Sequence, residues 1–143
     1  MPKQVKTAEK KCALIVEDSV DFSNLLKFIC EDEGLEGVQF PVDGNEIVEW
    51  VQKYKPAVVL MDLALRRKTG IDFINELRED HATKHVPIII ITGRELNHKE
   101  ILELQLRDVK YLRKGRVEME DIKKEIRNAA HTRKPSTADS KDD

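Results

Sequence analysis

Four short apolar runs each end in a residue able to do chemistry. Cys12 to Val16 (CALIV) runs into Glu17 and Asp18, and Ala57 to Met61 (AVVLM) runs into Asp62. Val86 to Ile91 (VPIIII) runs into Thr92, and Val109 to Arg113 (VKYLR) runs into Lys114. Three carboxylates, a hydroxyl and an ammonium suit a divalent cation beside a phosphoryl group. Hard oxygen ligands take the metal and one carboxylate takes the phosphorus. The ammonium and the hydroxyl take the charge.

That chemistry needs the five residues on one edge. Short β-branched runs predict buried parallel strands. In an open parallel sheet, ligands bind just beyond the carboxyl ends of the strands. The segments between the runs have helical patterns. Asp18 or Ser19 can cap a helix with apolar positions Phe22, Leu25, Leu26 and Ile29 and a stop at Gly34. Leu35 to Phe40 predicts a further strand. Asp43 and Glu46 have the spacing of a capping box before Ile47, Val48 and Val51, and Pro56 closes that segment. Ile71, Ile74 and Leu77 mark a third helix after the polar loop Arg66-Arg67-Lys68-Thr69-Gly70. Asn97 can cap a fourth, from His98 to about Arg107, and Met119, Ile122, Ile126 and Ala129 mark a fifth. Strand–helix alternation predicts an α/β fold with right-handed crossovers and a sheet covered on both faces.

The bulk numbers narrow the partners. A chain of 143 residues is expected to be one domain. A net charge of -2 gives no bulk attraction to nucleic acid. The two cysteines, Cys12 and Cys30, are not clustered, which predicts a reduced, cytoplasmic setting and no thiolate metal site. No apolar run nears the ~18 residues of a membrane span, so no membrane partner is expected. Residues 1–10 read as a polar arm, 11–131 as the folded domain and 132–143 as a disordered tail. No output domain is expected.

The chemistry-bearing residues also resemble a known family. From Asp18 to Asp62, Thr92 and Lys114 the steps are 44, 30 and 22 residues, as in response-regulator receiver domains of two-component signalling. Gly70 falls eight residues after Asp62 and Tyr111 three before Lys114, where the family has its loop glycine and switch aromatic. The likeness spans about Lys11 to Arg133. It implies a flavodoxin-like three-layer (βα)5 fold with a parallel five-stranded sheet of order 2-1-3-4-5. It implies Asp62 as phosphoacceptor, with Lys114 and Thr92 completing the catalytic set. It implies Mg²⁺ held by Glu17, Asp18, Asp62 and the backbone carbonyl of Ala64. Thr92 and Tyr111 would form the switch, whose ring turns inward when the threonine moves. The donor would be a histidine kinase or phosphotransfer protein, and the output a protein–protein contact. Such a protein catalyses only its own phosphorylation and dephosphorylation.

The chain departs from the family at several loops. Leu65 and Arg66 stand where the family often has Met-Pro, and Arg107-Asp108 where it has Gly-Ala. Gly115 stands for the proline after the lysine. A cis peptide costs about 2.5–4 kcal/mol before a residue other than proline, so a trans Lys114–Gly115 bond is expected. Arg66, Arg67 and Lys68 either draw in an anionic donor or form a solvated loop. Leu102 and Leu106 lie roughly opposite Ile101 and Leu104 on the fourth helix. That second stripe is either a partner face, giving a monomer or weak dimer, or a broad buried one. Other functions remain open: an unphosphorylated receiver-like interaction module, a flavodoxin-like cofactor binder or a metal-dependent phosphohydrolase. Against the cofactor binder, the first loop, EDSVDF, has no glycine and is acidic. Against the phosphohydrolase, Ala64 stands where a second acid is usual.

Overall fold

Alternation of period two divides the three central strands of the sheet between two cores. The computed structural model describes residues 11–131 apart from 42, 45 and 67. Both terminal arms, and Arg67 of the basic run, lie outside the described residues. The elements are β1 (Cys12–Val16), α1 (Val20–Asp32), β2 (Glu36–Gln39), α2 (Ile47–Tyr54) and β3 (Val58–Met61). Then come α3 (Gly70–Glu79), β4 (Ile88–Thr92), α4 (His98–Leu106), β5 (Val109–Arg113) and α5 (Met119–His131). The strands form one parallel sheet, order β2-β1-β3-β4-β5. This is the flavodoxin-like α/β fold that the sequence leads one to expect.

On one face Leu14, Val16, Val59, Met61, Ile88 and Ile90 meet α2, α3 and α4 through Ile47, Val51, Phe73, Ile74, Leu77 and Leu104. On the other, Ala13, Ile15, Val58, Leu60, Ile89 and Ile91 meet α1 and α5 through Leu26, Ile29, Ile122 and Ile126. β1, β3 and β4 are buried along their whole length, which is why they read as unbroken apolar runs. Each such Leu or Ile contributes roughly 1.5–3 kcal/mol.

Local chemistry sets the element ends. Ser19, not Asp18, caps α1 by accepting the Phe22 N–H at 3.3 Å, and Gly34 ends it with φ +85°. Asn97 and Glu100 form a capping box on α4. The capping box expected before α2 is not formed. Gly44 N–H bonds the Pro41 carbonyl at 2.8 Å, so Asp43 is spent in a turn, and Glu46 caps α2 without a side-chain bond. Gly70 is the first residue of α3, not part of the loop. β4 starts at Ile88, because Pro87 has no N–H to give the ladder. On α5 the buried residues are Ile122, Ile126 and Ala130, while Met119 lies outward. The second α4 stripe is solvent-facing, with Leu102 54% and Leu106 76% exposed.

Candidate functional site

Backbone bonds between neighbouring strand ends fix the chemistry-bearing residues. Asp62 N–H donates to the Val16 carbonyl at 3.1 Å, which puts Asp62 beside Glu17. Lys114 N–H donates to the Thr92 carbonyl at 2.8 Å, which puts the lysine beside the threonine. Glu17, Asp62 and Thr92 are buried, and Asp18 is half-buried.

Lys114 draws the two inner carboxylates together. Its Nζ lies 3.3 Å from Asp62 Oδ2, which accepts a hydrogen bond, and 3.1 Å from Glu17 Oε1. The same Nζ sits 4.3 Å from the centroid of the Phe22 ring. Asp62 Oδ1 accepts the Ala64 N–H at 3.3 Å, so its two oxygens have different neighbours. Thr92 Oγ1 faces the Arg94 N–H at the long distance of 3.5 Å. Tyr111 is half-buried, and its hydroxyl donates to the Arg94 carbonyl at 3.1 Å. The β4–α4 loop thus touches both residues expected to form the switch. The Lys114–Gly115 bond is trans, and Gly115 turns the chain with φ +83°.

Glu17 and Asp18 are held differently. Glu17 Oε2 accepts the Ser19 N–H at 2.9 Å, whereas the buried Oε1 has no hydrogen-bond donor, only the lysine charge. Burial pushes the Glu17 carboxyl above its ordinary value, against the opposing pull of the Ser19 N–H and Lys114. Asp18 Oδ2 accepts the Arg66 N–H at 2.6 Å, with Arg66 Nε 3.8 Å away. Among the described residues, no three His, Cys, Asp or Glu side chains converge as a metal-holding group, and Asp18 is turned to the Arg66 loop. The donor set nonetheless fits a hard divalent cation. Every candidate ligand is an oxygen, and the buried Glu17 Oε1 carries no hydrogen bond, only the Lys114 charge at 3.1 Å.

The structure therefore gathers Glu17, Asp62 and Lys114 in direct contact, with Thr92 and Asp18 on the flanking strand ends. Two participants escaped the sequence. Phe22 was legible only as an apolar helix position. Its place in the first turn of α1, at the sheet edge carrying the site, is the signal that could have found it. Arg66 binds Asp18 through its backbone, which no side-chain pattern reveals.

A family model described as the response regulator receiver domain matches residues 13–127. Solved structures are similar in fold. A response regulator receiver domain protein from Clostridium thermocellum is 25% identical, with 87% of this chain and 97% of that one covered and a TM-score of 0.73. The chemotaxis protein CheY4 of Vibrio cholerae is 20% identical, covering 83% and 98%, with a TM-score of 0.71. The Mn(2+)-bound form of response regulator Rcp1 is 22% identical, covering 82% and 90%, with a TM-score of 0.62.

Proposed function

The chain belongs to the response regulator receiver family, and we propose that it accepts a phosphoryl group on Asp62. The observation carrying this reading is the Lys114 ammonium held 3.3 Å from Asp62 Oδ2 at the sheet edge. The donor is a phosphohistidine on a histidine kinase or phosphotransfer protein, or a small acyl phosphate. An Asp62 carboxylate oxygen attacks phosphorus and forms a P–O bond. The donor's bond to phosphorus breaks, and the leaving group keeps the electron pair. Carboxylates are modest nucleophiles, so positioning and charge neutralisation carry the rate. Lys114 meets the phosphoryl oxygens on one side and the Thr92 hydroxyl donates on the other. Glu17, Asp18, Asp62 and the Ala64 carbonyl would hold Mg²⁺, which when bound offsets the phosphoryl charge.

The product is an acyl phosphate on the protein itself, so no external substrate is turned over. Receiver domains are in general signalling modules rather than enzymes. Drawing Thr92 toward the phosphoryl group disturbs the Arg94 loop that Tyr111 also holds, and a downstream protein senses that face. Residues 11–131 constitute the receiver in this reading. The proposal puts the protein in the cytoplasm with its kinase. Among the described residues no helix is long and apolar enough to cross a membrane.

The test is direct. Acetyl phosphate with Mg²⁺ should add one phosphoryl group, seen by intact mass and mapped to Asp62. Asp62→Asn or chelation of the metal should abolish it. Labelling of Asp62→Asn at the wild-type rate would remove the assignment.

A further inference from the structure

Among the described residues, the Lys114 head group has two carboxylates and one further neighbour in this site. The third is the ring of Phe22, 4.3 Å from Nζ to the centroid. The lysine stem passes Gly93, where an added Cβ would lie 4.0 Å from Lys114 Cδ, so Gly93 presents no side chain to the stem. The residue that follows, Gly115, offers no side chain either. The tip of Lys114 lies against Glu17, Asp62 and the Phe22 ring. Phe22 itself is anchored. Its backbone N–H bonds the Ser19 cap at 3.3 Å, and its side chain packs on the core under α1 and α5.

We propose that Phe22 is a positioning residue for phosphoryl acceptance, holding the Lys114 ammonium over Asp62 by a cation–π contact. This rests on the phosphoacceptor reading above. The physical case concerns charge. When the phosphoryl group arrives, Asp62 gives an oxygen to phosphorus, and the lysine must turn from the carboxylate to the phosphoryl oxygens. A carboxylate partner alone would hold the ammonium toward Glu17, away from the incoming group. The neutral ring face attracts the ammonium without competing as an anion. It also covers one side of the site with apolar surface, which strengthens the remaining charge interactions. In the transfer, the P–O bond forms to Asp62 while the bond to the donor breaks, and acetate leaves with the electron pair when acetyl phosphate is the donor.

The experiment uses the whole chain, acetyl phosphate and Mg²⁺, with Phe22→Leu and Phe22→Tyr. Leucine keeps apolar bulk on the core and removes the ring face, and tyrosine restores it. The expected result is labelling of Asp62 slowed about two- to thirtyfold in Phe22→Leu, the range of a cation–π contact from exposed to desolvated sites. Phe22→Tyr should return close to the wild-type rate. The NMR signals of the Lys114 ε-methylene protons, read without phosphodonor, should lie upfield in wild type from the ring current and move downfield in Phe22→Leu. Those protons report whether the ring lies over the ammonium in solution, and recovery of the labelling rate in Phe22→Tyr but not in Phe22→Leu separates positioning by the ring face from apolar bulk alone. Unchanged labelling in Phe22→Leu, failure of Phe22→Tyr to recover, or Lys114 protons that do not respond would each overturn the proposal. Absence of label on the wild-type protein overturns the phosphoacceptor reading instead, and this role with it.

Discussion

Gly70→Ala should damage both stability and phosphoryl acceptance, because Gly70 starts α3 against the backbone of the proposed nucleophile. A Cβ built there would lie 2.6 Å from the Asp62 carbonyl oxygen, 2.9 Å from Leu63 Cα and 3.0 Å from Leu63 Cδ2. Ordinary contacts with carbon begin near ~3.5 Å, so the first turn of α3 and the Asp62–Leu63 peptide must separate by about 0.5–1 Å. Neither side gives easily. Gly70 N–H bonds the Leu63 carbonyl at 2.9 Å, and Asp62 N–H bonds Val16 at 3.1 Å. Overpacking of this kind costs about 1–3 kcal/mol, and the helix preference of alanine returns up to about 1 kcal/mol. The net of roughly 1–2 kcal/mol lowers the melting temperature by about 3–7 °C at this chain length. A nucleophile displaced by about 1 Å loses up to ~100-fold in rate, so a partial shift predicts about tenfold slower labelling. The assay is thermal melting by circular dichroism, paired with the acetyl phosphate time course. Gly93→Ala is the control for stability, since its nearest neighbour is Lys114 Cδ at 4.0 Å. If Gly70→Ala melts and labels with the wild type, the close approach at Asp62 is not a constraint and the reasoning fails.

Three further outcomes follow from side chains away from the nucleophile. The Arg78 guanidinium is half-buried and donates to the carbonyls of Arg107 (2.8 Å), Val86 (2.7 Å), Lys84 (3.1 Å) and Asp108 (3.3 Å). Arg78→Met strips donors from several carbonyls at once and should cost roughly 3 kcal/mol, read as a lower urea midpoint. Burial pushes the Cys30 thiol from its ordinary 9.0 up to about 12. The unfolded thiol then ionises first, so its contribution to stability is intact below pH 9 and lost as pH rises toward 12. Cys30→Ala should flatten that part of the pH profile of urea unfolding; an unchanged profile would count against it. Arg66→Ala should leave Mg²⁺ affinity within about twofold, measured by fluorescence titration, because Asp18 is held by the Arg66 backbone and the side-chain pair is long and exposed. A large gain in affinity would show that the guanidinium, not the N–H, restrains Asp18.

The sheet and its edge were legible because burial writes itself into strands. β1, β3 and β4 have no solvent face, so their runs stop only where a polar residue emerges, and that residue is the one proposed to act. Helix ends with a local code were equally plain: Asn97 and Glu100 satisfy each other within four residues. What failed was local code without tertiary support. Asp43 and Glu46 have the spacing of a capping box, but the turn closed by Gly44 and Pro41 took Asp43 first. Arg78 was invisible for the opposite reason. Its partners are carbonyls, which every residue has, so no pattern of side chains announces the bonds.

The departures from the family pattern test what positions the site. Arg107-Asp108 replaces the usual small pair, and Asp108 takes φ +60°, a conformation that aspartate tolerates better than most side chains. Arg78 then ties both of their carbonyls to the α3–β4 connection, so the entry to β5 is fixed without glycine. Gly115 replaces proline with a trans bond and φ +83°, yet Lys114 Nζ is still 3.3 Å from Asp62. The reason is register. β5 pairs Arg113 with Thr92, and Lys114 N–H continues that pairing to the Thr92 carbonyl at 2.8 Å. The lysine is therefore aimed by the strand before it, not by the turn after it. Asp62 is aimed the same way, through Val16. Loops at this edge can change residue by residue while the proposed reacting groups keep their places, provided the strand ends stay paired. Where the strands do not reach, at the tip of Lys114, the role proposed for the Phe22 ring, 4.3 Å from Nζ, is to complete the placement that Glu17 and Asp62 begin.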